Sequence, residues 1–564
     1  MIDRRKFIQT SSLLTLPLVI PSKLWQVKPI KKKNNLADVP VSTKAIEWTL
    51  LSKVTYWPRK KDLQKLKEDG FNRYIHQQLN APVGDSKEVQ RRIEELKVDI
   101  KYEYNGYTVD EWRNITYLDK DLGYCRKEFE KIKERGWFEW IRPAIEVQSA
   151  NWIRAVYSPW QLREMMVEFW HDHFNVTVNG DMAIGCCIPT YDRDVIRKNA
   201  FGNFRVFLED VAKSPAMLYY LNNKASQASP ANENYARELF ELHTLGQEHY
   251  YNSLYDQWRD VPGALEGKPA GYIDEDVYEA ARAFTGWTVA DGSPFWRSSE
   301  KENFPDTGEF YYFEGWHDNY QKRILGHEIK SNMPPMYDGK KVLDLLASHP
   351  STAKTICKKF LVRFMGEAYP ESLLNKAQAV WMENVNTPDQ IKKTLQTIFE
   401  SEEFQTQQIL KVKRPYEFLV SAARATDAEF TPNMMLQWQA MNMGHKPFMW
   451  PAPTGHPDKD TYWMGPGAML IRWRMAGTIM YWKKFGVYTF DLAANTPNGK
   501  TYEEIVDYWS EKVIGSKLPD KHREQVIAVV ADGSKTKKPE QEKMEEKLTS
   551  LVRFLLSTPD FQYR

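Results

Sequence analysis

The sequence predicts a mainly α protein, a large multi-helix body carrying two long aromatic-rich insertions of loop or small strand. Three observations support this. Helix starts recur along the chain: Ser158-Pro159-Trp160-Gln161 and Thr387-Pro388-Asp389-Gln390 each combine a capping residue, a proline at the first helical position and a glutamine three residues after the cap. Ser214-Pro215 and Thr558-Pro559-Asp560 are similar starts. The composition, 42% hydrophobic and 27% charged over 564 residues, is that of a folded chain and excludes wholesale disorder or a fibre. Residues 288–338 and 426–468 break the helical pattern with Gly, Pro, Trp, Tyr and Met, and loops of that length are usually functional.

In chain order, the first segment reads as an address. Asp3-Arg4-Arg5-Lys6-Phe7-Ile8 precedes a short apolar run, Leu13 to Ile20, broken by Pro17 and followed by Pro21. Charge followed by a short apolar stretch is the order of a secretory signal, and the run is too short for a spanning helix of about 20 apolar residues. Arg4-Arg5 resembles a twin-arginine export signal. Residues 1–25 are therefore expected to be an export signal, residues 26–43 a solvated linker with Lys31-Lys32-Lys33-Asn34-Asn35, and residues 44–564 one helical domain, periplasmic or secreted. No later run of 18 apolar residues predicts a transmembrane segment.

Helices are expected over about 44–80, 85–100, 120–175, 190–250, 273–287, 340–425 and much of 500–564. LQTIFESEEFQ at 395–405 and LVRFLLSTPDFQ, ending at Gln562, are a weak internal echo, which similar helix ends would also produce. The 77 basic and 75 acidic residues give no global field for nucleic acid, which is disfavoured as a partner. The 20 Trp, 29 Tyr and 26 Phe serve cores, interfaces or flat ligands alike. Of four cysteines, Cys186-Cys187 is either a strained vicinal disulfide or, as preferred here, two reduced buried thiols.

Three segments concentrate side chains capable of chemistry. In WHDHF at 170–174, Glu164, Glu168 and His171 share one stripe of the helix begun by Ser158, while His173 lies about 160° from His171 among Leu162, Met166, Phe169 and Trp170. Glu168-x-x-His171 has di-iron spacing, but such sites need the motif twice plus further Glu, so that reading is weak. In the second segment, Asn232 to Gly246, residues Asn234, Arg237, Glu238 and Glu241 form one polar stripe and His243 falls on the apolar face. Glu233-Arg237 and Arg237-Glu241 are i, i+4 pairs, so this is equally a solvated ladder with His243 as a core histidine. The third, Glu314-Gly315-Trp316-His317-Asp318 with Lys322, is a metal or proton-carrier candidate or a plain surface loop. No GxSxG, Walker, GxGxxG, HExxH, CxxC or CxxCH motif is present.

At NENYARELFELHTLG the chain resembles the bacterial family known as domain of unknown function 1800. The likeness continues in order through WHDHF, DVYEAARAFTGW, HDNYQKRILG, LASHPSTAKTICKKF, KRPYEFLVSAARA, PAPTGHP, Trp463, Arg472 and STPDFQ, covering roughly residues 45–564. The resemblance implies an exported, mostly helical protein without an established reaction, often encoded beside a second exported family resembling sulfatases and phosphatases. It also implies as motif residues His173, Asn232, Glu233, Asn234, Arg237, Glu238, Glu241, His243, His317, Asp318 and Lys322. Glu168 is outside that pattern.

The leading reading is a metal- or cofactor-dependent enzyme, hydrolase or oxidoreductase, in which three histidine segments converge. His173, His243 and His317 are its candidate ligands for a transition metal, and Glu238, Glu241, Arg237, Asp318 and Lys322 its candidate catalytic residues. Asn232, Asn234, Trp316, Trp450 and Trp463 are the candidate binding residues. The alternative is a binding or assembly protein for polysaccharide or for an exported sulfatase-like partner, with the helix polar residues as a metal-free brace.

Overall fold

In the computed structural model the described residues are 44–564, apart from 105, 133–136, 298–299, 409–410, 483–485, 532–537 and 539. The expected signal and linker lie outside them. The chain is mainly α, as expected, with short antiparallel strand pairs set between helices.

The centre is the helix Trp137–Tyr157, almost wholly buried despite Pro143 within it. It packs against Lys87–Glu94, Gln161–His173, Met182–Thr190 and Pro415–Thr426. A second stack gathers Pro350–Met365 with Glu371–Glu383, Gln390–Phe399 and the early helix Ile46–Val54. The later helices Pro466–Tyr481, Tyr502–Ile514 and Gln541–Ser557 pack on one another. One apolar cluster runs through all of these, and each fully buried Leu, Ile or Phe in it contributes about 1.5–3 kcal/mol. Much of the aromatic excess goes into this core: Trp57, Trp152, Trp170, Trp287, Trp381, Trp482 and Trp509 are enclosed in it.

Two of the predicted helix starts are shifted. Ser158 and Thr387 stand just before their helices, which begin at Gln161 and Gln390. The Ser158 hydroxyl accepts from the Trp160 N–H, and that of Thr387 donates to the Asn384 carbonyl, so both serve the preceding turn. The prolines of Pro215–Tyr220 and Pro559–Gln562 do open their helices. The echo at 395–405 and 551–562 resolves into two helix-to-short-helix corners, each with a buried phenylalanine, Phe404 or Phe561; Ser401 caps the first by accepting the Phe404 N–H, whereas Thr558 donates back to the Leu555 carbonyl.

The long predicted helices are divided, and one contains a different element. Residues 95–100 are not helical: Lys97–Tyr104 pairs antiparallel with Tyr107–Asn114, because Val98 and Ile100 alternate with Lys97 and Asp99 and bury one face only. The first aromatic insertion forms three small antiparallel pairs, Trp287–Asp291 with Asp306–Tyr312, Pro294–Arg297 with Glu300–Asn303, and Lys322–Ile324 with His327–Ile329. The second holds the helix Met434–Asn442 and then a long ordered loop. All four cysteines are buried free thiols. Among the described residues no helix is long and apolar enough to cross a membrane.

Candidate functional site

The Asn232 segment begins as its sequence dictates. The Asn232 side chain accepts the Asn234 N–H at 3.0 Å, and Arg237 pairs with Glu233 (3.3 Å), Glu241 (3.6 Å) and Asp274 (3.2 Å) in a partly solvated ladder. Asn234 donates to the Leu221 carbonyl, so Asn232 and Asn234 serve the local backbone. Glu238 has no hydrogen-bond partner; burial, and then the neighbouring Glu241, push its carboxyl up to about 7. Beyond Glu238 the helix widens into a π turn, Leu239–His243, so a wheel drawn at 100° per residue no longer holds.

That turn delivers His243 into the core, fully enclosed, with neither ring nitrogen hydrogen-bonded. Burial, helped by the charge of Lys359, pushes it down to about 3. Its ring is 6.1 Å from that of His173, so these two histidines meet as expected. Their company differs from the expectation. Lys359 Nζ donates to His173 Nδ1 at 2.9 Å, which leaves His173 Nε2 to donate to the His243 carbonyl at 3.1 Å. His173 has no lone pair left for a metal, and a lysine stands where a ligand would be needed.

His317 does not join them. Its Nδ1 faces the Thr285 carbonyl (2.9 Å) and its Nε2 faces Asp338 (3.3 Å). Asp318 is clamped by Arg282 at 2.8 and 3.0 Å, and Lys322, 1% exposed, donates to Asp338 (2.7 Å) and to the Asp318 and Tyr320 carbonyls. This closed charge cluster ties the Lys322–Ile324 strand to the helices Asp274–Ala283 and Tyr337–Ala347. The three-histidine metal centre is therefore corrected to two separate clusters. Among the described residues no group of three or more His, Cys, Asp or Glu side chains is arranged to hold a metal ion. Trp316 packs edge-on to Phe304 and Phe313.

A different place has the features of a site. A small, partly open cavity of about 60 Å³ lies between the helices Trp137–Tyr157 and Gln161–His173, the π turn Tyr191–Arg197, the start of Pro415–Thr426 and the 443–459 loop. The acidic stripe of Gln161–His173 faces it: Glu164, Glu168, His171 and Asp172 line the wall, opposite His445, Phe448 and His456.

Two aspartate–histidine pairs flank this cavity. His171 Nε2 donates to Asp192 Oδ1 at 2.8 Å, and Asp192 Oδ2 in turn accepts from Arg197 Nε at 2.7 Å. Arg197 also holds Glu164 (2.9 Å) and Asn151 (2.5 Å). With Nε2 committed, His171 Nδ1 is an open lone pair. The second pair is saturated: His456 Nε2 accepts the Lys446 N–H at 2.8 Å, so Nδ1 carries the proton and donates to Asp172 at 2.8 Å. Trp450 lies 4.7 Å from the His456 ring, and Trp463, anchored through Nε1 to the Pro457 carbonyl, is 6.5 Å from it.

Burial opposes charge here, yet the arginines outweigh it. Arg197 and His171 hold Asp192, and Arg414 and His456 hold Asp172, well below the usual carboxylate range. Arg414 bridges Asp172 and Glu168, and Glu168 also binds Arg363 and the Tyr56 hydroxyl, each at 2.9 Å. His445, 2% exposed, is kept neutral by burial and then by the nearby His456 and Arg414.

The family model described as "Protein of unknown function (DUF1800)" matches residues 49–563. The chain belongs to the DUF1800 family. No curated protein and no solved structure matches it. In this DUF1800 chain sequence reasoning did not single out Asp192, Arg197, His445, His456 and Arg414, and it weighed His171 only in the di-iron spacing set aside above. A signal existed for some of them. Glu164, Glu168 and His171 share a stripe that would be costly to bury unpaired, and PAPTGHP brings in His456.

Proposed function

We propose that this DUF1800 protein is an exported hydrolase that cleaves an ester-class bond, with His171 as the general base. The observation that carries this is the open Nδ1 of His171 on a cavity, behind which Asp192, Arg197 and Asn151 set the tautomer and orientation of the ring. An imidazole held by a buried, ionised aspartate is the arrangement that takes and returns a proton during acyl transfer.

Among the described residues lining the cavity there is no Ser, Thr or Cys, which makes water the nucleophile. His171 Nδ1 takes one proton from water, the water oxygen bonds to the acyl carbon, the C–O bond breaks, and the same proton passes to the leaving oxygen. The lining carboxylates Glu164, Glu168 and Asp172 are each bonded to arginine, so none is suited to be the protonated acid of a two-carboxylate glycosidase. Placement outside the cytoplasm rests on the export signal read at Arg4-Arg5.

The test is a panel of chromogenic esters, amides, glycosides and phosphate esters on the purified mature protein, with His171→Gln and Asp192→Asn beside it. Ester hydrolysis lowered about 10²–10⁴-fold in both variants is expected. No ester turnover, or turnover indifferent to both substitutions, overturns the proposal.

A further inference from the structure

We infer that the cavity binds a neutral polyhydroxylated ring, a sugar residue carrying the ester, and discriminates against anionic ligands; this rests on the cavity's being the site proposed above. Three independent features of the lining lead to it.

The first is charge. Each charged side chain on the wall already has a protein partner: Glu164 with Arg197, Glu168 with Arg414 and Arg363, Asp172 with Arg414. No cation is left to neutralise a ligand's charge, so a phosphate or carboxylate group placed here would lose its water without gaining an ion-pair partner.

The second is the set of groups that remain open. The Gln148 side chain is 5% exposed, lines the cavity and has no hydrogen-bond partner on the protein. His445 Nδ1 is likewise buried without a hydrogen-bond partner, and His171, whose Nε2 is taken by Asp192, has Nδ1 open. An amide and two imidazole nitrogens supply both donors and acceptors, which is what hydroxyl groups require, since each hydroxyl gives and takes a hydrogen bond. A buried polar atom left unmet, as His445 Nδ1 is, is costly, so this wall suits an occupant that hydrogen-bonds.

The third is a flat apolar wall. Tyr416 and Phe448 line the cavity with Val167, Val176 and Pro447. Phe448 is held at φ +57, a left-handed conformation that is costly for an aromatic residue, while its carbonyl accepts the Val178 N–H at 2.8 Å and its ring stands edge-on to His171 at 5.0 Å. Aromatic faces beside neutral hydrogen-bonding groups match the C–H face and the hydroxyl edge of a pyranose.

The experiment is saturation-transfer NMR and calorimetry on the full mature protein with methyl glycosides of glucose, galactose, mannose and N-acetylglucosamine, against glucuronate and glucose 6-phosphate. At least one neutral glycoside is expected to bind ten-fold or more tightly than either anion. Gln148→Leu and His445→Phe, checked for unchanged melting, are each expected to weaken it about ten-fold. Absence of binding across the neutral panel, anions binding as well, or binding untouched by both variants overturns the inference. Because binding is read without turnover, the two readings fail separately. Ester hydrolysis that depends on His171, without sugar binding, removes only the ligand class. Sugar binding without ester hydrolysis removes the catalytic reading and leaves the ligand class standing.

Discussion

His171 and Asp172 are adjacent in the chain yet serve different pairs. One has a nitrogen open to the cavity, and the other belongs to a saturated brace. The expected consequences differ accordingly. Asp192→Asn removes the carboxylate that keeps the proton on His171 Nε2, favouring the wrong tautomer, and should lower turnover by about two orders of magnitude or more, measured as kcat on the ester found in the panel. Arg414→Met leaves Glu168 and Asp172 buried without their shared partner, and should cost about 3–5 kcal/mol in urea unfolding, the typical penalty for breaking a buried pair. At this scale the sequence showed only one side of each interaction. The stripe of Glu164, Glu168 and His171 follows from helical spacing. Their partners do not, since Asp192, Arg414 and His456 reach the stripe from 21, 242 and 284 residues away from the side chains they bind.

Among the elements, the 443–459 loop carries the most consequence for the site. Gly455 sits at φ +66, and an added Cβ would overlap the Asp172 carbonyl oxygen at the end of the helix Gln161–His173. Gly455→Ala should therefore lift His456 off Asp172, lowering both the melting temperature and the activity. Unchanged values for both would show that this close approach is dispensable. The π turn Leu239–His243 illustrates why the polar helix was only half legible. The cap at Asn232 and the ion-pair ladder come from local chemistry. The position of His243 depends on the widened turn, and the carbonyl it presents to His173 depends on packing against Pro350–Met365. The Lys97–Asn114 hairpin is a similar case, its short alternation readable as a strand although the expected helix ran on through its first residues, 97–100.

For the whole molecule, buried titratable groups set an acid limit. His243, pushed down to about 3, and His173 and His445, also held below the ordinary imidazole range by burial, stay neutral in the folded state while the unfolded chain protonates near pH 6.5. Folded pKa values below the unfolded ones mean stability is complete above about pH 6.5 and falls as pH drops from there. Below about pH 4 the loss steepens. Glu417, held at about 2 against burial by Arg564, Arg363 and Arg414, and Asp172 and Asp192, also held below the carboxylate range, stay ionised in the folded state while the unfolded chain takes up protons. Urea midpoints measured from pH 8 to 4 should decline from pH 6.5 downward; a flat profile to pH 5 would contradict the buried neutral histidines. Export belongs to this scale too. Replacing Arg4 and Arg5 together by Lys should leave the precursor in the cytoplasm, seen by cell fractionation, whereas an ordinary secretory signal would tolerate the change.

What the sequence by itself determined is what depends on neighbours along the chain: helix content, the Asn232 cap, the Glu233–Arg237–Glu241 ladder, the family, and the buried character of His173 and His243. What only the tertiary structure decided is which polar groups face one another. His317 went to Asp338, which Lys322 also binds, His173 to Lys359, and the stripe of Glu164, Glu168 and His171 to Arg197, Arg363, Arg414 and Asp192. The physical reason is that a buried charge must be compensated within about 3 Å, while the chain can supply the compensating group from any distance in sequence.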